Sequence, residues 1–162
     1  MPQVRYGPGF EQRRPRGRRP RLPTTVDREW LVARHEAGHA VVALALGCRV
    51  TTVMVGDDGR GNDGYAFVYS GDPAVSLAGV LAGRRAAREL YVHGGLEGQG
   101  LDLADALNSC IYTYGSDWRQ AFTEAKRRAR RILCQRWPEV RVLASRLLRE
   151  GIVYEPILPA LA

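Results

Sequence analysis

Residues 35–39 read His-Glu-Ala-Gly-His, inside a proline-free stretch from Thr24 to Leu46. Two histidines at i and i+4 stand one above the other on a single helix face, so a helix here aims both imidazoles at one point. The flanks support a helix. Thr24 or Thr25 can start it, Asp27 favours its first turn, and Gly47 ends it. Its second half, Ala-Val-Val-Ala-Leu-Ala-Leu (40–46), is apolar on every face. Such a helix has to be buried on most sides, and the rest of the chain has to wrap around it. Gly38 lowers helix propensity at the centre of this segment, which predicts close approach by another backbone.

The same five residues carry a chemistry. Zinc takes neutral imidazole nitrogens and anionic oxygens in a tetrahedral array, and a catalytic site keeps one position open for water. His35 and His39 supply two ligands. Glu36, offset from the ligand face by one residue, reaches a water on the ion and can take its proton. An HExxH match also arises by chance, and a lone buried His is often structural. Here, however, two of the chain's three histidines fall at this spacing, inside an apolar helix where an unpaired imidazole is costly. A third ligand is required. The metzincin extension needs Gly at 42 and His at 45, and those positions are Val42 and Ala45, so that class is excluded. Glu89, His93, Glu97, Asp102 and Asp105 remain, and spacing does not choose among them.

The remaining elements follow from period and punctuation. Arg49–Val55 is β-branched and reads as a strand; Gly56–Gly64 reads as a loop, and Tyr65–Tyr69 as a second strand of a hairpin or small sheet. Residues 74–92 read as a helix, the Gly-rich segment 93–100 interrupts, and a further helix covers 101–114. A longer helical region begins at Ser116, with a break at Pro138. The order predicts an α+β, mostly helical fold in one domain over 24–162, with a C-terminal helical bundle.

Charge separates a tail from this domain. The chain carries a net +7; residues 1–24 hold seven Arg and one Glu, a net +6, which leaves +1 for the other 138 residues. This argues against a basic nucleic-acid-binding core. Residues 1–23, rich in Arg, Pro and Gly, read as a disordered tail. Three cysteines, Cys48, Cys110 and Cys134, show no CxxC spacing, which argues against a disulfide framework and against a cysteine-built zinc site. The longest apolar run is too short to span a bilayer and no signal segment is evident. These features predict a soluble, cytoplasmic protein with no membrane insertion.

The segment Arg34-His-Glu-Ala-Gly-His-Ala-Val-Val-Ala-Leu-Ala-Leu-Gly47 resembles the zinc-binding helix of the peptidase domain of FtsH-type membrane proteases. The likeness extends along the chain: Val50–Tyr69 is similar to that family's strand pair, with Gly64-Tyr65 at its Gly-Tyr. Arg84–Leu90 resembles its GRAAEEL helix, Gly100-Leu-Asp-Leu103 with Ala106 its NDLxxAT segment, and Tyr114-Gly115 the end of that helix. The C-terminal stretches around AFTEAKRRARRIL and LASRLLREGIV are also similar. Coverage is about residues 27–157.

The resemblance implies zinc (Zn2+) held by His35, His39 and Asp102, with Glu36 as general base, and it makes Glu89 a structural helix residue. On the residues alone, Asp102 is equally an ordinary first-turn helix charge. Two departures surround it: Leu101 replaces the family's Asn or Ser, and Leu107 its Thr. The implied activity is a zinc metalloendopeptidase, a hydrolase of extended or unfolded polypeptides. Such a peptide would add to the edge of the sheet at Gly64, Tyr65, Ala66 and Phe67, residues that otherwise read as a half-buried strand. No GxxxxGK[ST] phosphate loop is present. The expectation is a peptidase domain standing alone and acting without ATP, with a separate ATPase or adaptor as a partner to deliver substrate. The rival reading is a non-catalytic, zinc-stabilised protein-binding module derived from such a peptidase.

Two basic runs stay open. Arg13–Arg21 is either a solvated extension or a contact for nucleic acid or an acidic surface, with no aromatic residue among its arginines for base stacking. Lys126–Arg131 reads as the solvated face of a helix, too wide for a packing stripe alone, with a partner or phosphate contact as the other reading.

Overall fold

A computed structural model describes residues 20–56, 63–93 and 99–158. Within them the chain forms helix α1 (Thr25–Ala45), strands β1 (Arg49–Val55) and β2 (Gly64–Tyr69), helices α2 (Pro73–Glu89), α3 (Gln99–Tyr114), α4 (Trp118–Gln135) and α5 (Trp137–Glu150), and strand β3 (Ile152–Tyr154). This is the α+β, mostly helical class that the sequence predicts. No helix among the described residues is long and apolar enough to cross a membrane.

α1 is the centre of the molecule. Its start is fixed by a capping box: the Thr24 N–H donates to the Asp27 carboxylate at 2.8 Å, and the Asp27 N–H donates to the Thr24 hydroxyl at 3.2 Å. Gly47, at φ +76°, takes the left-handed conformation that ends it. Every residue from Leu31 to Ala43 is buried, as the all-round apolar pattern requires. One side meets α2 with almost no separation. A Cβ added to Gly38 would lie 2.5 Å from the Ala82 methyl and 3.1 Å from the Ala78 carbonyl. That contact is the close backbone approach read from Gly38, and Ala78 and Ala82 at four-residue spacing supply its other half.

The opposite side of α1 meets α5 and the sheet. Val140, Leu143, Ala144 and Leu147 of α5 join Val41, Val42, Val50, Val53 and Val153 in one cluster. Fully buried side chains such as Leu143 and Leu147 contribute about 2 kcal/mol each. A second cluster, formed by Ala74, Leu77, Ala106, Ala125 and Ala129, seats α3 and α4 on α2. The outer helices thereby hold α2, and α2 holds α1.

The sheet is antiparallel with strand order β2-β1-β3. β1 pairs with β2 from Arg49↔Tyr69 to Val55↔Gly64, with a register shift between Val50 and Thr52. β3 lies outside the sequence reading, because three residues carry no period of their own and become a strand only through pairing with β1.

Three boundaries differ from expectation. The 74–92 helix ends at Glu89, because Leu90 and Tyr91 turn and Val92 leaves to bridge Arg21. The break expected at Pro138 falls two residues earlier, at Arg136 between α4 and α5, and Pro138 lies in the first turn of α5, where its missing N–H costs nothing. Arg21 belongs to the folded body, not to the tail. Its N–H donates to the Tyr91 carbonyl at 3.2 Å and its carbonyl accepts from the His93 N–H at 2.8 Å. Its guanidinium is paired with Asp27. Residues 13–19 of the basic run, Glu97, and the tip of the loop read over 56–64 lie outside the described residues.

Candidate metal centre

The i, i+4 spacing does what the sequence predicts. The Nε2 atoms of His35 and His39 converge to 3.1 Å, their rings meeting edge to face. The Asp102 carboxylate, delivered by the first turn of α3, closes the triangle. Its Oδ2 lies 2.8 Å from His35 Nε2 and 3.4 Å from His39 Nε2. Both histidines are buried and Asp102 is partly so. The three side chains each offer one ligand atom, all within 4.8 Å of one another, and together they form a group able to hold a metal ion.

The donor set and its spacing fit zinc. Ligands about 2.0–2.1 Å from a tetrahedral zinc stand roughly 3.3 Å apart, close to the three separations found here. The tautomer agrees as well. His39 Nδ1 donates to the Val75 carbonyl at 2.8 Å, so in the neutral form that binds a metal the lone pair is on Nε2, facing His35 and Asp102. α2 makes room for that ring: a methyl on Gly79 would overlap the His39 imidazole. His35 Nδ1 is buried with no hydrogen-bond partner among the described residues, so only its Nε2 side is oriented.

Electrostatics tie the group together. Burial pushes the His39 pKa down, but the Asp102 hydrogen bond and the charges of Glu36 and Asp102 outweigh it and raise the pKa to about 9. Burial alone raises the Asp102 carboxyl, yet hydrogen bonds from His35 and His39 hold it well below the usual carboxylate range. Glu36 is 8% exposed. Burial raises its pKa, and the charges of His39 and His35 pull it only partly back. It is therefore a carboxylate with an enhanced affinity for a proton, set beside the triad.

β2 is an edge strand, with no partner on its far side among the described residues. Gly64 brings that edge onto α1. A Cβ there would meet Val32 Cγ1 at 2.8 Å and Glu36 Cγ at 3.0 Å. Ala66 and Val68 pack toward the core, while Phe67 and Tyr69 stand 59% and 67% exposed. The four strand residues singled out in the sequence thus run from beside Glu36 along a free edge.

The other candidate ligands are elsewhere. Glu89 gives one oxygen to Arg34 at 2.6 Å and the other to the Trp137 indole N–H at 2.8 Å, with Arg85 at 3.5 Å. It joins α1, α2 and α5, a structural role. His93 and Asp105 are exposed and outside the triad. In the basic run of α4, Arg127, Arg130 and Arg131 are exposed, as a solvated helix face requires, and the half-exposed Arg128 is also paired with both oxygens of Asp72, the N-cap of α2.

Sequence reasoning missed the support around the triad, namely the Val75 carbonyl, Gly79, and the Arg34–Glu89–Trp137 group. Only Gly79 left a trace, as a small residue in the run Ala74–Gly83. No protein-family model and no curated protein matches the chain.

Proposed function

We propose that the chain is a zinc-dependent metallopeptidase that hydrolyses peptide bonds in extended or unfolded polypeptides. The observation that supports it is the convergence of His35, His39 and Asp102 beside a buried carboxylate, Glu36, at the end of a strand edge that has no partner among the described residues. A structural zinc site has no use for that carboxylate.

His35, His39 and Asp102 would hold the ion. Zinc, when bound, supplies a Lewis acid that polarises the scissile carbonyl and acidifies water. Glu36 accepts the proton of the attacking water at its carboxylate, an act favoured by its raised proton affinity, and then passes it to the departing amine. The β2 edge aligns the substrate through main-chain hydrogen bonds. An edge strand accepts only chain that is already extended, so a folded substrate has to be delivered opened, by a separate ATPase or adaptor. Three free cysteines, Cys48, Cys110 and Cys134, fit work in a reducing, cytoplasmic compartment.

The test is Glu36→Gln. The variant is expected to bind zinc like the wild type and to lose hydrolysis of an unfolded polypeptide by at least about 100-fold, the scale of a lost general base. Equal cleavage by both proteins contradicts the mechanism. Peptide binding without cleavage by the zinc-loaded wild type identifies a binding module instead.

A further inference from the structure

The outer face of the sheet is unusually aromatic. Tyr65, Phe67 and Tyr69 alternate along β2 on the side opposite the core-facing Ala66 and Val68. Tyr65 and Phe67 stack edge to face with ring centres 5.3 Å apart. The row continues across the sheet, since Phe67 is opposite Thr52 and Thr52 is opposite Tyr154, itself 63% exposed. Tyr65 is opposite Met54, and Met54 is opposite Ile152. An exposed aromatic side chain buries little of its surface in the fold, and a row of them on one face marks a surface that meets another molecule.

Backbone alternation says what that molecule is. The Gly56 N–H donates to the Asp63 carbonyl at 2.9 Å, which makes that pair hydrogen-bonded. By alternation Tyr65 and Phe67 then spend their backbone groups on β1, whereas Gly64 and Ala66 turn theirs to the free edge. An extended peptide that takes those groups becomes a fourth strand. Every second side chain of the peptide then lies on the aromatic face, about 5 Å from Tyr65 or Phe67. The intervening side chains lie on the side of Gly64 and Ala66, which faces α1 at Val32 and Glu36.

We propose that Tyr65, Phe67 and Tyr69 form a selectivity ladder, which makes the ligand an extended polypeptide with apolar or aromatic side chains at alternate positions. This rests on the β2 edge as the substrate edge, as in the function proposed above, and adds the substrate class. Patches exposed in unfolded chains, which are hydrophobic strands in the native state, carry this pattern.

The test uses two fluorescein-labelled nine-residue peptides, one with Phe or Leu at every second position and one with Ser there. They are titrated against zinc-loaded Glu36→Gln protein, so that binding is read without turnover. The apolar peptide is expected to bind about tenfold more tightly, the scale of two aromatic cross-strand pairs. Phe67→Ser with Tyr69→Ser, at exposed positions that leave the core untouched, is expected to bring the two affinities within about twofold. Equal affinities at the start, or a preference that survives the double substitution, overturns the ladder. Cleavage of both peptides at equal rates by the wild type also overturns it, yet leaves the peptidase in place. A preference that persists in a wild type unable to cut either peptide keeps the ladder and removes the peptidase.

Discussion

His39 donates its Nδ1 proton to the main-chain carbonyl of Val75, one helix away. The bond fixes the imidazole's tautomer and orientation, so the free nitrogen points at His35 and Asp102. α2 is therefore part of the candidate metal centre without supplying a ligand. Gly79, one turn after Val75, is the space into which the ring fits.

Gly79→Ala tests that arrangement. The added methyl displaces the ring from Val75, and zinc affinity is expected to fall by about 10–100-fold, as for other lost supporting contacts around a metal. Competition with a chromophoric chelator measures it, with circular dichroism as the check on helix content. Unchanged affinity would mean that α2 does not orient His39.

Glu89 offers the contrasting case. Arg34, 8% exposed, depends on it for charge compensation, and the Trp137 indole depends on it for an acceptor. Glu89→Ala is expected to cost about 1–3 kcal/mol of stability by denaturant titration, because a buried cation and an indole N–H lose their partner. Zinc content is expected to stay at the wild-type level. A loss of zinc without a loss of stability would reassign Glu89 to the metal.

The pH dependence of stability carries a signature from α1. Hydrogen bonds from Arg21 and then Thr24 hold the Asp27 carboxyl well below its ordinary range. A lowered carboxyl pKa contributes stability that is complete above the unfolded value of about 3.9 and is lost as pH falls below it. Asp27→Asn is expected to be less stable than wild type at neutral pH, and the gap is expected to narrow steadily as the pH falls from about 4 to 2. Urea midpoints across that window measure it; a constant gap would show that ionised Asp27 adds nothing.

Much of this was legible because it is local. Residues 35–39 announce a helix with two aligned imidazoles, and Gly38 announces a tightly packed neighbour, both through spacings shorter than two helical turns. Asp102 is different. From the residues alone it was one carboxylate among several, and only the likeness of the Gly-Leu-Asp-Leu segment to a known peptidase helix separated it from Glu89 and Asp105. Their positions depend on how α2 and α3 dock on α1, which no local pattern encodes. The same holds for β3, a strand only because β1 offers an edge, and for the Arg34–Glu89–Trp137 group, whose members lie more than 40 residues apart. Arg21 reads as tail because its neighbours are Arg and Pro. The fold uses its backbone to anchor Tyr91 and His93 ahead of α3.

The most direct measurement is zinc per chain in purified wild-type protein and in Asp102→Ala. The account predicts about one zinc in the wild type and a small fraction of that in the variant, as expected when one of three protein ligands is removed. Full zinc in both would take Asp102 out of the site, and no zinc in the wild type after reconstitution would contradict the metal centre itself.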